Sequence, residues 1–316
     1  MSPAVSVVIV TYNKADTVGP AIESVLHQSY RDHEILVVDD GSTDGTAEAV
    51  RRYGSQVRYL PKKNGGTGSA RNLGIAEARG EYVALLDGDD LWLPRKLELQ
   101  MAAFQREPQI IGAQCSAYLV DERLKVFDLR VCHPARDTLR DFLLFRNLPA
   151  FSSTIVARRA AFRQVGGFGT DLVILSDWDM ACRLAQAGTI RSVPEPLVLY
   201  RHYPKNQSRD VGIHIESGAR SLRRFFSEGN DLPPGLRAFE PRVWAHFYAM
   251  LAGGCIRNGD WRQGSRWVTR AVQTSPAVLP YVLGMPVRRV GKLFTVPRGL
   301  SFAEQFHPPP NGESRR

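Results

Sequence analysis

Val5-Ser-Val-Val-Ile-Val10 is a near-continuous β-branched run, the pattern of a strand buried on both faces of a sheet. Thr11-Tyr-Asn-Lys14 breaks it, and Asp16 is placed to cap a helix reaching roughly His27, with Val18, Ile22, Val25 and Leu26 on one face. Working outward, Glu34–Asp39 reads as a second strand, Thr46–Tyr53 as a helix and Val57–Leu60 as a third strand. Ser69–Ala78 then reads as a helix and Tyr82–Leu86 as a fourth strand. Strand–helix–strand order with short connections predicts an α/β fold: a Rossmann-like, mostly parallel sheet flanked by helices. Ligands of such sheets lie beyond the carboxyl ends of the strands. That is where Asp39-Asp40, Asn64–Gly68 and Asp87–Asp90 fall.

Further along, helices are expected at Arg95–Glu107, Asp137–Phe145, Arg158–Val165 and Ser176–Ala187, and strands at Ile110–Val120, Lys125–Val131 and Val193–Tyr200. From about Ile213 the pattern is helical. Trp244–Asn258 and Trp261–Gln273, joined at Gly259-Asp260 and followed by Pro276, read as one tetratricopeptide-like helical pair. The expected organisation is a domain at 1–210, a helical annex at 211–285 and a basic, Pro-rich tail at 286–316, with the last ten residues disordered.

Hydrophobic residues make up 43% and charged residues 23%, which excludes a wholly disordered chain. The longest apolar runs fall far short of the roughly 20 residues a spanning helix needs. No secretory leader pattern is visible, and the four cysteines are scattered without a CxxC, so a reduced cytoplasmic protein is expected. The net charge of +9 sits almost wholly in the C-terminal third: residues 1–210 carry 26 basic and 25 acidic side chains, residues 211–316 carry 15 and 7. That annex reads as a solvated basic surface or as a docking face for something anionic. No module with interleaved stacking aromatics accompanies it, so no nucleic acid is expected.

Three carboxylates in four residues at Asp87-Gly-Asp-Asp90 repel one another unless a cation lies between them, and hard oxygen ligands suit Mn2+ or Mg2+. For Asp90 the simpler reading is a cap for the next helix. Asn64-Gly-Gly-Thr-Gly-Ser-Ala-Arg71 offers flexible backbone and a helix N-terminus to an oxyanion. It departs from the dinucleotide fingerprint at Arg71 and in its place in the sheet, and no GxxxxGK[ST] loop exists, which excludes P-loop chemistry. Arg71 reads either as a forked phosphate contact or as a helix-surface arginine. Asp40 reads as an acceptor for a base or ribose, or as an Asx turn.

Four segments, Ser6–Asn13, Val37–Asp44, Asn64–Asn72 and Leu86–Asp90, stand in an order and spacing that resemble the family 2 glycosyltransferases of GT-A fold, over about residues 4–205. The resemblance implies a nucleotide-diphosphate-sugar donor, most often a UDP-sugar, a divalent metal, and inversion at the anomeric carbon. The implied donor-binding set is Thr11, Tyr12, Asn13, Asp40, Asn64, Gly66, Arg71, Asn72, Asp87, Gly88, Arg201 and His202. The implied metal ligands are Asp89 and Asp87. The family's acidic pair maps onto Ser176-Asp-Trp-Asp179, so Asp177 takes the general-base position and Ser176 replaces the usual Glu. One carboxylate suffices for that proton transfer. Asp177 also reads as a helix cap. Gly166-Gly-Phe168 resembles the acceptor-side loop. Arg201–Ser208 resembles a segment that closes over the diphosphate, with Arg201 or Lys205 neutralising the leaving group.

The expected activity is sugar transfer to an acceptor hydroxyl in polysaccharide, lipopolysaccharide or glycolipid assembly, on a glycan or lipid-linked acceptor. Peripheral contact with an anionic membrane through the basic third, including Val287–Phe294, is expected as well. The alternative is a non-catalytic sugar-nucleotide-binding or scaffold protein of a glycan-assembly complex, for which Ser176 is the sequence support.

Overall fold

The computed structural model describes residues 2–172, 175–203, 211–227, 232–284 and 300–302. Strands β1 (Val5–Thr11), β2 (His33–Asp39), β3 (Arg58–Pro61) and β4 (Tyr82–Asp87) alternate with helices α1 (Val18–Leu26), α2 (Thr46–Arg51) and α3 (Thr67–Glu77). They form a parallel half-sheet in the order β3-β2-β1-β4. Every residue of β1 is buried, as its β-branched run predicts for a central strand covered on both faces. Ser6 and Thr11 are its polar members, and the Ser6 hydroxyl donates to Glu34 while accepting from the Gly80 N–H. Helix α3 lies close on β1 because residue 74 is glycine: a Cβ there would stand 2.2 Å from Val8 Cγ1.

The other half of the sheet is mixed. It holds β5 (Leu91–Trp92), β6 (Gly112–Val120), β7 (Val126–Arg130), β8 (Val156–Arg158) and β9 (Ile190–Arg201), in the order β4-β8-β6-β9-β5 with β7 on β6. Strand β8 runs antiparallel to both neighbours, whereas β6 and β9 are parallel. The parallel order read from the sequence therefore describes the first half of the sheet.

Helices α4 (Lys96–Arg106), α5 (Thr138–Leu143), α6 (Phe151–Thr154), α7 (Arg159–Gln164) and α8 (Ser176–Ala187) cover the sheet, followed by α9 (Val211–Phe225), α10 (Pro234–Arg237), α11 (Glu240–Arg257) and α12 (Trp261–Thr274). One apolar cluster runs from Val8 and Leu85 of the sheet through Phe142 and Trp178 to Leu222, Phe247 and Leu251 of the annex. Phe145 stacks on Trp178 at 5.0 Å and lies 6.0 Å from Phe247, so the C-terminal helices share the core of the preceding domain. Asp260 caps α12 by accepting from the Gln263 N–H, and Gly259 takes the left-handed turn before it (φ +84°). Leu300 and Phe302 return to β7: the Val126 N–H donates to Leu300 and the Phe302 N–H to Leu124.

Two expectations change. Asp16 does not cap α1, which starts behind Thr17 without a side-chain cap; the preceding turn is tied instead to Thr46 and Asp44 of the next connection. Helix α2 is shorter than read, because the chain tightens into a 3-10 turn at Gly54–Gln56. The expected segments Val287–Phe294 and 307–316 lie outside the described residues, as does Lys205.

Candidate active site

The carboxyl ends of β1, β2 and β4 open into one cleft of about 500 Å3. Val10, Thr11, Tyr12, Asn13 and Lys14 form one wall, Asp40, Thr67 and Arg71 a second, and Asp87, Gly88, Asp89, Tyr200 and Arg201 a third. Gly88 is required for the close turn: its N–H donates to the Val10 carbonyl at 2.8 Å, and a Cβ would lie 3.0 Å from the same oxygen. Tyr12 stands half exposed beside the cleft, and the buried Thr11 hydroxyl has no hydrogen-bond partner among the described residues.

Charges alternate along the cleft. Arg71, 4% exposed, forks between two carboxylates, with Nη2 2.8 Å from Asp87 and Nη1 2.5 Å from Asp177. Burial opposes its charge, but Asp177 and Asp87 outweigh that and hold its pKa above the ordinary arginine value. Arg71 Nε is buried without a hydrogen-bond partner among the described residues. Asp177, in the first turn of α8, thereby sits at the end of a carboxylate–guanidinium–carboxylate bridge. It is not the cap of α8, since Leu175 holds that place in a left-handed conformation (φ +64°). Asp89 meets Lys14 Nζ at 2.6 Å.

Asp90 turns inward, which overturns its reading as a helix cap. Its carboxylate is 1% exposed and accepts from the Ser153 hydroxyl at 2.5 Å and the Arg201 N–H at 2.8 Å. Burial, and then the Asp89 and Asp87 charges, push its pKa well above the usual carboxylate range. This buried side chain anchors the turn that presents Asp87 and Asp89. Arg201 braces the same turn from β9: its guanidinium donates to the carbonyls of Asp89 at 3.0 Å and Glu122 at 2.9 Å.

Of the residues singled out in the sequence, Thr11, Tyr12, Asn13, Asp40, Arg71, Asp87, Gly88, Asp89 and Arg201 line this cleft. Asp177 joins it through Arg71. Asp40 is committed to the glycine loop: it accepts from the Gly65 and Gly66 N–H groups at 3.0 and 2.8 Å and from Lys62 at 2.5 Å. The local turn belongs to its neighbour Asp39, which accepts from the Ser42 N–H. Gly66 thus serves through its backbone, and Asn64 lies exposed beside Gly41. Asn72 faces away and pairs with both main-chain groups of Phe168, so it holds the Gly166–Phe168 loop. His202 donates its N–H to the Val120 carbonyl, with its ring 5.9 Å from Phe127, outside the cleft lining. Sequence reading missed Lys14, Thr67 and Tyr200. Lys14 directly follows the Thr-Tyr-Asn run, and Tyr200 immediately precedes Arg201.

The donor set suits a divalent ion of a particular kind. Asp87 and Asp89 offer hard oxygens, and each is paired with a cationic side chain, Arg71 and Lys14 respectively. Among the described residues no three of His, Cys, Asp and Glu converge on one point. An ion here would complete its shell from phosphate and water, as Mg2+ and Mn2+ do at phosphate sites.

The sequence profile of glycosyl transferase family 2 matches residues 6–166. An uncharacterized glycosyltransferase of Rickettsia typhi is 32% identical over 206 residues, which cover 63% of this chain and 64% of that protein. The fold is similar to that of S. aureus TarS 1–349 in complex with UDP-GlcNAc, with a TM-score of 0.63 at 19% identity over 89% of this chain and 84% of TarS. It is similar too to that of the Pyrobaculum calidifontis mannosyltransferase PcManGT in complex with GDP-Man and Mn2+, with a TM-score of 0.58 at 19% identity over 91% and 81%. The matched profile takes in the ends of β1, β2 and β4 that open into the cleft, and spans just over half of the sequence: the chain belongs to glycosyl transferase family 2.

Proposed function

We propose that this chain transfers a sugar from a nucleotide-diphosphate-sugar to an acceptor hydroxyl with inversion, in the assembly of a polysaccharide or glycolipid. One observation carries the reading: Asp87, which lines the cleft beside Asp89, is coupled through Arg71 to a second carboxylate, Asp177, on a separate element. Inverting transfer needs two such places, one for the departing diphosphate and one for the proton of the incoming hydroxyl.

Asp89 and Asp87 would hold Mn2+ or Mg2+, which when bound neutralises the diphosphate. Thr11 and Tyr12 line the nucleoside end, and Thr11 brings an unpaired hydroxyl. Asp177 accepts the proton of the acceptor hydroxyl, oriented for it by Arg71. The UDP-GlcNAc and GDP-Man bound by TarS and PcManGT, and the Mn2+ of the latter, support a nucleotide-sugar and a divalent ion here; a UDP-sugar is the first donor to try.

Residues 211–285 form the helical annex in this reading. Its basic surface meets an anionic membrane where a lipid-linked acceptor waits. No helix among the described residues is long and apolar enough to cross a membrane. Flotation of the protein with vesicles containing acidic lipid, lost at high salt, is the expected result for that contact.

The test is nucleotide release over a panel of UDP-, GDP- and dTDP-sugars, with Mn2+ or with EDTA. Release from one donor, abolished by EDTA and by Asp89→Ala, is expected. Donor binding without release from any donor, with crude lipid extract as acceptor, would make the chain a non-catalytic sugar-nucleotide-binding protein.

A further inference from the structure

Three cations line the cleft among the described residues, and two are already spent. Arg71 is divided between Asp87 and Asp177, and Arg201 between two main-chain carbonyls. The third, Lys14, is paired with the candidate metal ligand itself: its Nζ lies 2.6 Å from Asp89 Oδ2 and 4.8 Å from the centre of the Tyr203 ring. Its side chain is 33% exposed and that of Asp89 20%, so neither is sealed in.

The backbone fixes where this ammonium stands. Asn13 takes the left-handed conformation (φ +51°), its N–H donates to the Ser42 hydroxyl, and its side-chain oxygen accepts from the Thr43 N–H at 2.8 Å. The Lys14 N–H donates to the Thr46 hydroxyl at 2.8 Å. The turn after β1 is thus locked to the turn after β2, and only the flexible lysine stem is free to move.

The geometry points to Lys14 as a mobile counter-charge for the donor diphosphate, an inference that rests on the metal-dependent transfer proposed above. The ammonium stands at Asp89 where a cation bound by that carboxylate would stand. Were Asp89 and Asp87 to hold a divalent ion, that carboxylate would be taken, and the released Lys14 ammonium would be within reach of a donor diphosphate in the same cleft. As the anomeric C–O bond breaks, its electron pair stays on the phosphate oxygen, the acceptor oxygen closes the new bond, and its proton passes to Asp177. Lys14 keeps its protons and donates a hydrogen bond to the departing diphosphate, a charge-assisted contact.

The two roles predict opposite effects of one substitution, which a merely structural lysine would not produce. The experiment titrates Mn2+ into the full chain and reads free Mn2+ by electron paramagnetic resonance, without nucleotide and then with UDP or GDP. Lys14→Met is expected to bind Mn2+ alone about five-fold more tightly, as befits removal of a competing, partly exposed ion pair. With UDP or GDP present it is expected to bind the nucleotide about ten-fold more weakly, the loss of a charged hydrogen bond to phosphate. Lys14→Arg should restore the nucleotide affinity, and the melting temperatures of both variants should match wild type. Equal Mn2+ affinity in wild type and Lys14→Met, with Asp89→Asn losing the ion, would overturn the role of Lys14 alone. No Mn2+ bound by wild type, with or without nucleotide, would overturn the metal reading and this inference together.

Discussion

Lys96 is fully buried, and among the described residues no carboxylate pairs with it. Its ammonium donates to Gln100 Oε1 at 2.7 Å and lies 3.8 Å over the Trp92 ring, while Gln100 passes its own hydrogen bonds to the Ala113 and Thr154 carbonyls. Burial lowers its pKa from 10.5 to about 8. A lysine whose folded pKa is depressed costs stability while protonated, in full below about 8, and the cost is relieved as pH rises toward the unfolded value. Wild type should therefore gain on Lys96→Met by about 2–3 kcal/mol between pH 7 and pH 10, measured by urea unfolding of the two proteins side by side. A difference that stays constant with pH would mean the ammonium is solvated in some other way. Arg71 makes the opposite case, a buried cation fully engaged. Arg71→Met leaves Asp87 and Asp177 unpaired, but they are 28% and 38% exposed and recover water. Its expected cost is about 1–2 kcal/mol, below that of a broken fully buried pair. Arg71→Lys should recover part of this in thermal unfolding, since an ammonium meets one carboxylate well but not both.

At the scale of elements, glycines decide how closely the pieces approach. Gly74→Ala drives a methyl into Val8 on the central strand. The expected loss is about 1–3 kcal/mol, the usual cost of overpacking a core, seen as a lowered urea midpoint. Gly41→Ala combines a left-handed backbone (φ +84°) with a Cβ 2.8 Å from the Asn64 main-chain nitrogen, so it should displace the loop that Asp40 holds. The elements of the parallel half were legible because each long apolar run ends in a polar loop. The bounds of α8 were read as they stand, from a periodic stretch of 12 residues. Strands β5 and β8 and helix α6 have two, three and four residues, too few for either periodicity to register, so the antiparallel turn of the sheet was not legible. The strand-end carboxylates were visible for the same reason as the strands. Their pairing was not: Arg71 and Asp177 are 106 positions apart, Lys14 and Asp89 are 75, and only the fold brings them into contact. Asp90 was misread because a carboxylate ahead of a helix looks like a cap, whereas here the Ser153 hydroxyl and the Arg201 N–H, both distant in sequence, hold it inside.

For the whole molecule, the composition placed nearly all of the excess charge beyond residue 210, and in the fold those residues are also part of the core. Leu222, Phe247 and Leu251 pack in the same cluster as Phe142 and Trp178. A chain ending at residue 210 would expose that surface, and it is expected to aggregate or to lose its cooperative thermal transition. A cooperative transition near the full-length midpoint would make the annex a detachable module instead. The central claim is that one end of the Asp87–Arg71–Asp177 bridge serves the donor and the other the acceptor proton. The measurement that addresses it most directly is calorimetric donor binding beside turnover for Asp177→Asn, with the donor found by nucleotide release. The account predicts a donor Kd within about three-fold of wild type and a kcat lower by at least about 100-fold, the contribution expected of a general base. A kcat close to wild type, with the donor still bound, would contradict it.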